Sequence, residues 1–504
     1  MPVGISLYRA RGGADGVSGL WGALADIGRR WRAADWVAVL ALAWLIRSTT
    51  LNGVPFQAPP LWMTWFDQSR YFASATAFAH GNLSAEAHWY PLAYPLLAAP
   101  IAWLSSTNPF MPLDLVLYVV TGGAVRRVAA RLGIGTWPAV LCFVLTTLID
   151  ASVARGWVDP WTTTLSAALI WTLADRALQI IDASPGGVPP GQAAVFGTVA
   201  AAIPLVRPVD AIVSLACVAV VLIAVIRQRR LTAGLAWAVI ASGAAVVASY
   251  ALLHLAIYGA RPTPYMVAAA RTGFIWSDIG WKAYVLLIHA RPWFPDTQAL
   301  FERMPWILVG GAGLIVAAID GTAAERRAIG LLLLMTLPVG GVMLTYADLQ
   351  PPGLWRFGNI HYFKWSLPLF GLGVVLALRQ AWAPGRPRWR VVAMTLACLL
   401  PMGLRVVPQP VSAATPARML TFAGDTGRAW DEAYFAPVVL DDAGGAMANI
   451  NDFHQVPDAT GQRMIAVSRL FRGAARRNDP GEAMYRQPQA PDGRFAGRWT
   501  FVGR

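Results

Sequence analysis

Long uncharged apolar runs recur along this chain, and they decide its fold class before any motif is read. Each is about 15 to 25 residues long, the length a helix needs to cross a hydrocarbon layer with its own backbone hydrogen bonds satisfied. Only 13% of the 504 residues are charged and 56% are hydrophobic, whereas a soluble domain carries about 25% charged residues. A soluble protein of this length would lack the charge to cover its surface. The expected fold is an all-α polytopic membrane protein of about 11 transmembrane helices. It has a large first extracytoplasmic loop of interfacial helices and a small α+β extracytoplasmic C-terminal domain.

Spans are predicted at 35–51, 110–126, 137–152, 161–178, 193–207, 210–226, 232–257, 305–319, 328–346, 363–379 and 391–407. The net charge of +14 gathers in short segments between them: Arg29, Arg30 and Arg32; Arg126, Arg127 and Arg131; Arg227, Arg229 and Arg230; Arg326 and Arg327; Arg379, Arg386, Arg388 and Arg390. Cytoplasmic loops collect basic residues in this way, and an N-terminus inside puts every cluster on one side. No basic run has the length and aromatic interleaving of a nucleic-acid surface, so nucleic acid is excluded as partner. The basic N-terminus before the apolar run Trp36–Ile46 imitates a signal peptide; an uncleaved first span is the reading adopted. Cys142, Cys217 and Cys398 all fall in apolar runs, giving neither a disulfide framework nor a metal knot.

The resulting division is a cytoplasmic segment 1–34, a transmembrane domain 35–407 with its first extracytoplasmic loop at 52–109, and an extracytoplasmic domain 408–504. Within that loop, Leu92–Leu104 is apolar but short. Counting it as a span would put Arg126 and Arg127 outside, so an interfacial or re-entrant helix is expected. Other external segments are Arg155–Pro160, Gly259–Met304 and Ala347–Tyr362. In the C-terminal part, Ala436–Leu440 suggests a strand, and Arg463–Arg476 spaces Ile465, Val467, Leu470, Phe471 and Ala474 as one helical face.

The polar residues of the first loop carry the chemistry. A helix from Phe66 to Gly81 would place Asp67, Arg70, Tyr71 and Ser74 on one face. Asp67 could simply cap that helix. Equally, Trp62, Trp65 and Phe66 surround it with rings, a setting that raises a carboxylate's pKa and suits a general base. Asp159, followed by Pro160, reads as a helix start; it is also a second external carboxylate, and with Asp67 it could hold a divalent cation, Mg or Mn. Glu86 and His88, with His80, match no compact metal motif. In LWRFGNIHYFKW, the residues Arg356, His361, Tyr362 and Lys364 suit a lipid-borne phosphate, or else snorkel beside Trp355 and Trp365. Arg271 and Arg291 are weaker choices for that duty, and Arg207 with Asp210 reads as a local ion pair. The 23 tryptophans are chiefly an interface signature, with Trp62, Trp65 and Trp89 able to stack on a sugar.

This layout resembles the GT-C superfamily of integral-membrane glycosyltransferases, which use polyprenyl-phosphate-linked sugars. The likeness rests on the N-in first span, the run Phe66-Asp67-Gln68-Ser69-Arg70-Tyr71, the following HWYPLAYPLLAAP segment and the external C-terminal part. It departs from branches with two adjacent acids, since Gln68 follows Asp67. The resemblance implies catalysis by Asp67, with Asp159 in the place of a second acid, at the outer face of the cytoplasmic (inner) membrane. A polyprenyl-phosphate sugar would be donor, a glycan, lipid or protein hydroxyl the acceptor, and inversion the outcome. Arg70, Tyr71, Glu86, His88, Arg356, His361, Tyr362 and Lys364 are the expected substrate-binding residues. The alternatives are a transporter or flippase of lipid-linked saccharides and a non-catalytic protein of the same architecture.

Overall fold

A computed structural model describes residues 41–42, 66–104, 108–184, 187–272, 274, 279–290, 298–346, 349, 353–382 and 388–403, together with six short strands between 437 and 503. The segment 1–34, most of the first predicted span, Trp62, Trp65 and Arg291 lie outside the described residues, as do the side chains of Arg271 and Arg356. The membrane part is helical: α1 Phe66–Ala79, α2 Ala93–Leu104, α3 Phe110–Arg131, α4 Thr136–Leu148, α5 Ala151–Val158, α6 Thr162–Asp182, α7 Pro190–Val206, α8 Ala211–Arg227, α9 Ala233–Tyr258, α10 Pro264–Thr272, α11 Ile279–Ala283, α12 Leu300–Arg303, α13 Trp306–Asp320, α14 Ala323–Met343, α15 Leu367–Trp382 and α16 Arg388–Gly403.

Three of the described stretches, Pro208–Arg227, Ala233–Tyr258 and Ala323–Met343, are long and apolar enough to cross a membrane, and several shorter apolar helices pack with them. In α9 none of the most apolar window is buried by protein; Trp237, Ile240, Val247, Leu252 and Leu255 all face outward. Such a surface is stable against lipid and not against water. The chain is a membrane protein.

Contacts at the helix ends sort the bundle into two poles. The Arg127–Asp175 and Arg131–Asp182 pairs, both 2.6 Å, join α3 to α6. Arg327 reaches the same Asp182 from α14 at 2.8 Å. Arg379 meets Glu325 at 2.5 Å, and Arg390 meets Asp320 at 2.8 Å. Arg230 donates to the Ile181 carbonyl at 2.8 Å. All of these lie at one pole, the arginine pole. At the opposite pole, the Tyr258 hydroxyl at the end of α9 donates to the His88 carbonyl at 2.7 Å, and Arg303, ahead of α13, pairs with Asp150 at 2.6 Å.

Two elements run differently from an ordinary crossing. Tyr94, near the start of α2, stacks on Phe110 at the start of α3, with centroids 4.8 Å apart. The chain therefore returns to the pole from which α2 began, consistent with a helix only 12 residues long. The second is the predicted span 137–152. Here α4 stops at Leu148 and the chain bends by 94° into α5. Asp150 causes the break: its carboxylate accepts from the Ser152 and Val153 amides at 2.9 and 3.1 Å and starts a new helix. The expected loop Arg155–Pro160 is thus helical as far as Val158. Asp159 does not start α6: it closes α5, and Trp161 precedes the first turn of α6.

Close helix contacts come from glycine. A Cβ on Gly313 would meet the Gly373 carbonyl and, at 2.9 Å, Ala377 of α15; Gly310 stands equally close to the backbone at Phe370. Small residues let two backbones touch where lipid gives no hydrophobic drive for association. The described backbone of the C-terminal region is all strand, in a pair β1 Pro437–Val439 and β2 Met447–Asn449 and a four-stranded antiparallel sheet β3 Phe453–Val456, β4 Arg463–Ser468, β5 Glu482–Gln487 and β6 Thr500–Gly503. The expected helical face at 463–476 is corrected at its start: Ile465 pairs with Tyr485 and Val467 with Ala483, so the apolar residues follow period two there. Gly313→Val is expected to lower the thermal midpoint of the detergent-solubilised protein by overpacking of about 1–3 kcal/mol, while Gly311→Ala, with open space around its Cβ, leaves it unchanged.

Candidate functional site

The pole opposite the arginines gathers buried polar side chains, beginning with α1. Gly81, at φ +68°, ends that helix by a turn that favours glycine, and a one-turn 3₁₀ segment, Ala85–Ala87, leads to His88. Both ring nitrogens of His88 are engaged, Nδ1 with Ser74 Oγ at 2.7 Å and Nε2 with the Asn82 carbonyl at 2.9 Å. Burial lowers its pKa, against the opposing pull of the Asn82 carbonyl. His88 therefore acts as the brace of this loop.

The brace delivers Tyr90 to Asp67. Asp67 sits in the first turn of α1, and its Oδ1 accepts the Tyr90 hydroxyl. The Tyr90 ring packs against Tyr71 at 4.8 Å and Tyr265 at 5.1 Å. Burial first, and the Asp67 charge second, raise the pKa of both Tyr71 and Tyr90 well above the ordinary phenol value. Both remain neutral donors across the working pH range. Arg70 lies over the Trp89 ring at 5.6 Å.

A second layer lies behind this one. Tyr94 places its hydroxyl 2.8 Å from each carboxylate oxygen of Asp114, a buried acid of α3. Lys364, fully buried just before α15, donates to the Gly156 carbonyl and to Thr164 Oγ1, each at 2.6 Å, and its ammonium lies 4.7 Å from the Trp157 ring. Burial brings its pKa down to about 7, with the Asp114 and Asp159 charges opposing and the Arg207 charge assisting. His361 is stacked on Trp161 at 3.8 Å and meets Thr163 Oγ1 at 3.1 Å; burial, then the Arg207 and Lys364 charges, hold it well below its usual pKa. Arg207 pairs with Asp210 at 3.3 Å and stands over the Tyr362 ring at 5.1 Å. It also acts electrostatically on Tyr71, Tyr265 and Tyr346, and so reaches beyond the expected local pair.

The sequence-derived candidates separate accordingly. Asp67 and Tyr71 meet around Tyr90, whereas His361, Tyr362 and Lys364 meet around Arg207 and α6. Glu86 is exposed on the 3₁₀ turn, and His80 is exposed with its Nδ1 on the Thr76 carbonyl. Asp159 is paired with Arg155 at 2.8 Å, and burial raises its pKa against that pairing. Gln68 Nε2 donates to the Pro160 carbonyl at 2.9 Å, so the first turn of α1 touches the corner that carries Asp159. One oxygen of Asp67 is engaged by Tyr90 and one of Asp159 by Arg155, and among the described residues no group of three or more His, Cys, Asp or Glu is placed to hold a metal ion. Sequence reasoning missed Asp114, Tyr90 and Tyr94. For Asp114 a signal existed, since a carboxylate inside an apolar span marks function.

The fold and site define a polytopic helical membrane protein with a buried acid–tyrosine–lysine cluster at one pole. No family model matches the chain, and no curated protein matches it in sequence. Among solved structures it is similar to the crystal structure of ArnT from Cupriavidus metallidurans bound to undecaprenyl phosphate, at 14% identity and a TM-score of 0.46. The match covers 74% of this chain and 66% of that one, just under two thirds of its length. Identity at that level transfers no residue role.

Lys364 gives this pole a pH signature. Its folded pKa of about 7 lies below its ordinary value of 10.5, so between those values the unfolded chain holds one more proton than the folded one. The resulting stability is complete above 10.5 and is lost as pH falls towards 7, with a slope of about 1.4 kcal/mol per pH unit. The thermal midpoint of the wild type should rise from pH 7.5 to 9.5 by more than that of Lys364→Met, which lacks this contribution. Parallel curves would refute the assignment.

Proposed function

We propose that this chain is a membrane glycosyltransferase that moves a sugar from a polyprenyl-phosphate donor to an acceptor hydroxyl, with Asp67 as general base. One observation carries the reading: a carboxylate in the first turn of α1 is held by a buried phenol at the pole of a membrane bundle where the cations Arg207 and Lys364 are also buried. A donor with a lipid tail needs such a boundary site, since its tail stays in hydrocarbon while its sugar meets water.

In the reaction, Asp67 accepts the proton of the acceptor hydroxyl as that oxygen forms a bond to the anomeric carbon. The bond from that carbon to the phosphate oxygen breaks, and its electron pair leaves with the phosphate. A single displacement of this kind inverts the anomeric centre. The leaving phosphate gains negative charge in a region of low dielectric, where the positive potential of Arg207, and of Lys364 when protonated, stabilises it. Lys364 contributes from a distance, because its ammonium is already bonded to Gly156 and Thr164. Asp159 belongs with α5 and takes no part in the step.

The positive-inside rule assigns the arginine pole to the cytoplasm and the site to the extracytoplasmic face of the inner membrane. The acids and bases at the site lie near one pole, and Asp114 is only the fifth residue of α3. This distribution favours an enzyme over a carrier, whose binding groups gather at mid-membrane. Purified protein in lipid vesicles, offered a panel of polyprenyl-phosphate sugars and acceptors, is expected to form a new glycosidic bond. Asp67→Asn should lower the rate about hundredfold or more, with its elution and thermal midpoint unchanged. Equal transfer by both proteins would remove Asp67 from the role; movement of saccharide across the bilayer without bond formation would replace the enzyme by a carrier.

A further inference from the structure

Tyr90 contacts the Asp67 carboxylate through its hydroxyl while being held by residues at the end of α9 and the start of α10. We propose that Tyr90 is the positioning residue of Asp67, and that the ends of α9 and the start of α10 set its position. The proposal rests on the reading of Asp67 as the base and names what orients that base.

Three sets of contacts fix Tyr90. Its ring lies between Tyr71 and Tyr265, at 4.8 and 5.1 Å, and it is almost fully buried. Its backbone is pinned through its two predecessors: the Tyr258 hydroxyl donates to the His88 carbonyl at 2.7 Å, and the Tyr265 amide donates to the Trp89 carbonyl at 3.2 Å. His88 is itself braced at both ring nitrogens. A phenol this constrained has one direction in which to donate, and Asp67 Oδ1 occupies it.

The consequences for the base are of two kinds. Fixing Oδ1 sets the plane of the carboxylate, so the carboxylate meets an incoming hydroxyl in one orientation. A donor bonded to the ionised form also favours that form, so removing the Tyr90 hydroxyl should make Asp67 easier to protonate. Residues 258–265 thus influence the base through Tyr90. A ligand or substitution that shifts the start of α10 would act on the reaction through Tyr90.

The test needs no substrate for its first arm. Modification of Asp67 by a diazo compound, which esterifies only the protonated carboxyl, is followed against pH by mass spectrometry in the full-length protein in detergent. Tyr90→Phe keeps the ring and removes the hydroxyl. Its Asp67 modification midpoint should lie about one pH unit higher than that of the wild type. A protein carrying 3,5-difluorotyrosine at position 90, a stronger donor of the same shape, should have a lower midpoint than the wild type. In the second arm, sugar transfer by Tyr90→Phe should show kcat reduced about tenfold, KM unchanged within about twofold, and an acid limb displaced in the same direction as the modification curve. Unchanged midpoints in both proteins overturn the proposal, whatever happens to the rate. Shifted midpoints in a protein that transfers no sugar retain Tyr90 as the partner that sets Asp67 and dismiss the enzymatic reading alone.

Discussion

Hydrocarbon does not solvate polar groups, and this requirement governs the arrangement at both poles of the molecule. Asp114 could not sit in α3 without a donor, and the Tyr94 hydroxyl supplies one to both of its oxygens. That pairing ties α2 to α3 and returns the chain to the pole it came from. The same logic places Lys364, whose ammonium is received by a backbone carbonyl and a threonine rather than left bare. At the arginine pole, carboxylates at the ends of α6, α13 and α14 answer the guanidinium groups. Ion pairs of that exposure add little stability. They do hold the helix ends in register.

Most of the membrane layout was legible from the chain. Beyond the first, every predicted span except 137–152 overlaps one described helix, because apolar length and arginine clusters report the same alternation independently. The short segment after Pro91 was expected not to cross because a crossing there would have inverted the later clusters, and it forms a 12-residue helix whose start packs on the start of α3. What failed was local. The stretch 137–152 is apolar throughout until Asp150, and apolarity says nothing about a 94° bend that an aspartate cap creates and Arg303, 153 residues away, secures.

The site was legible in part, and the limit was sequence distance. Asp67 and Tyr71 share a helix, so spacing alone could group them. Tyr90 meets Asp67 across 23 residues and Tyr94 meets Asp114 across 20, through a turn whose path is fixed by His88 and Gly81. No periodicity encodes such a meeting. Lys364 looked like a cation waiting for phosphate because its partners, Gly156 and Thr164, lie two hundred residues upstream in the chain. His88 was expected to bind substrate; Ser74 and the Asn82 carbonyl, which occupy its nitrogens, are ordinary groups that carry no signal of that pairing.

The turned helix α5 lies across the direction of α4 and ends at Asp159, with the Gly156 carbonyl on Lys364 and Gly156 itself against His361. A helix lying flat presents its full length at one depth. Its buried face, Val153, Ala154, Gly156 and Trp157, packs on protein, so the whole helix is seated at that depth rather than at a single point where a vertical rod passes through. A change in bilayer thickness that tilted this crosspiece would act through the Gly156 carbonyl on Lys364 and the buried polar cluster at this pole.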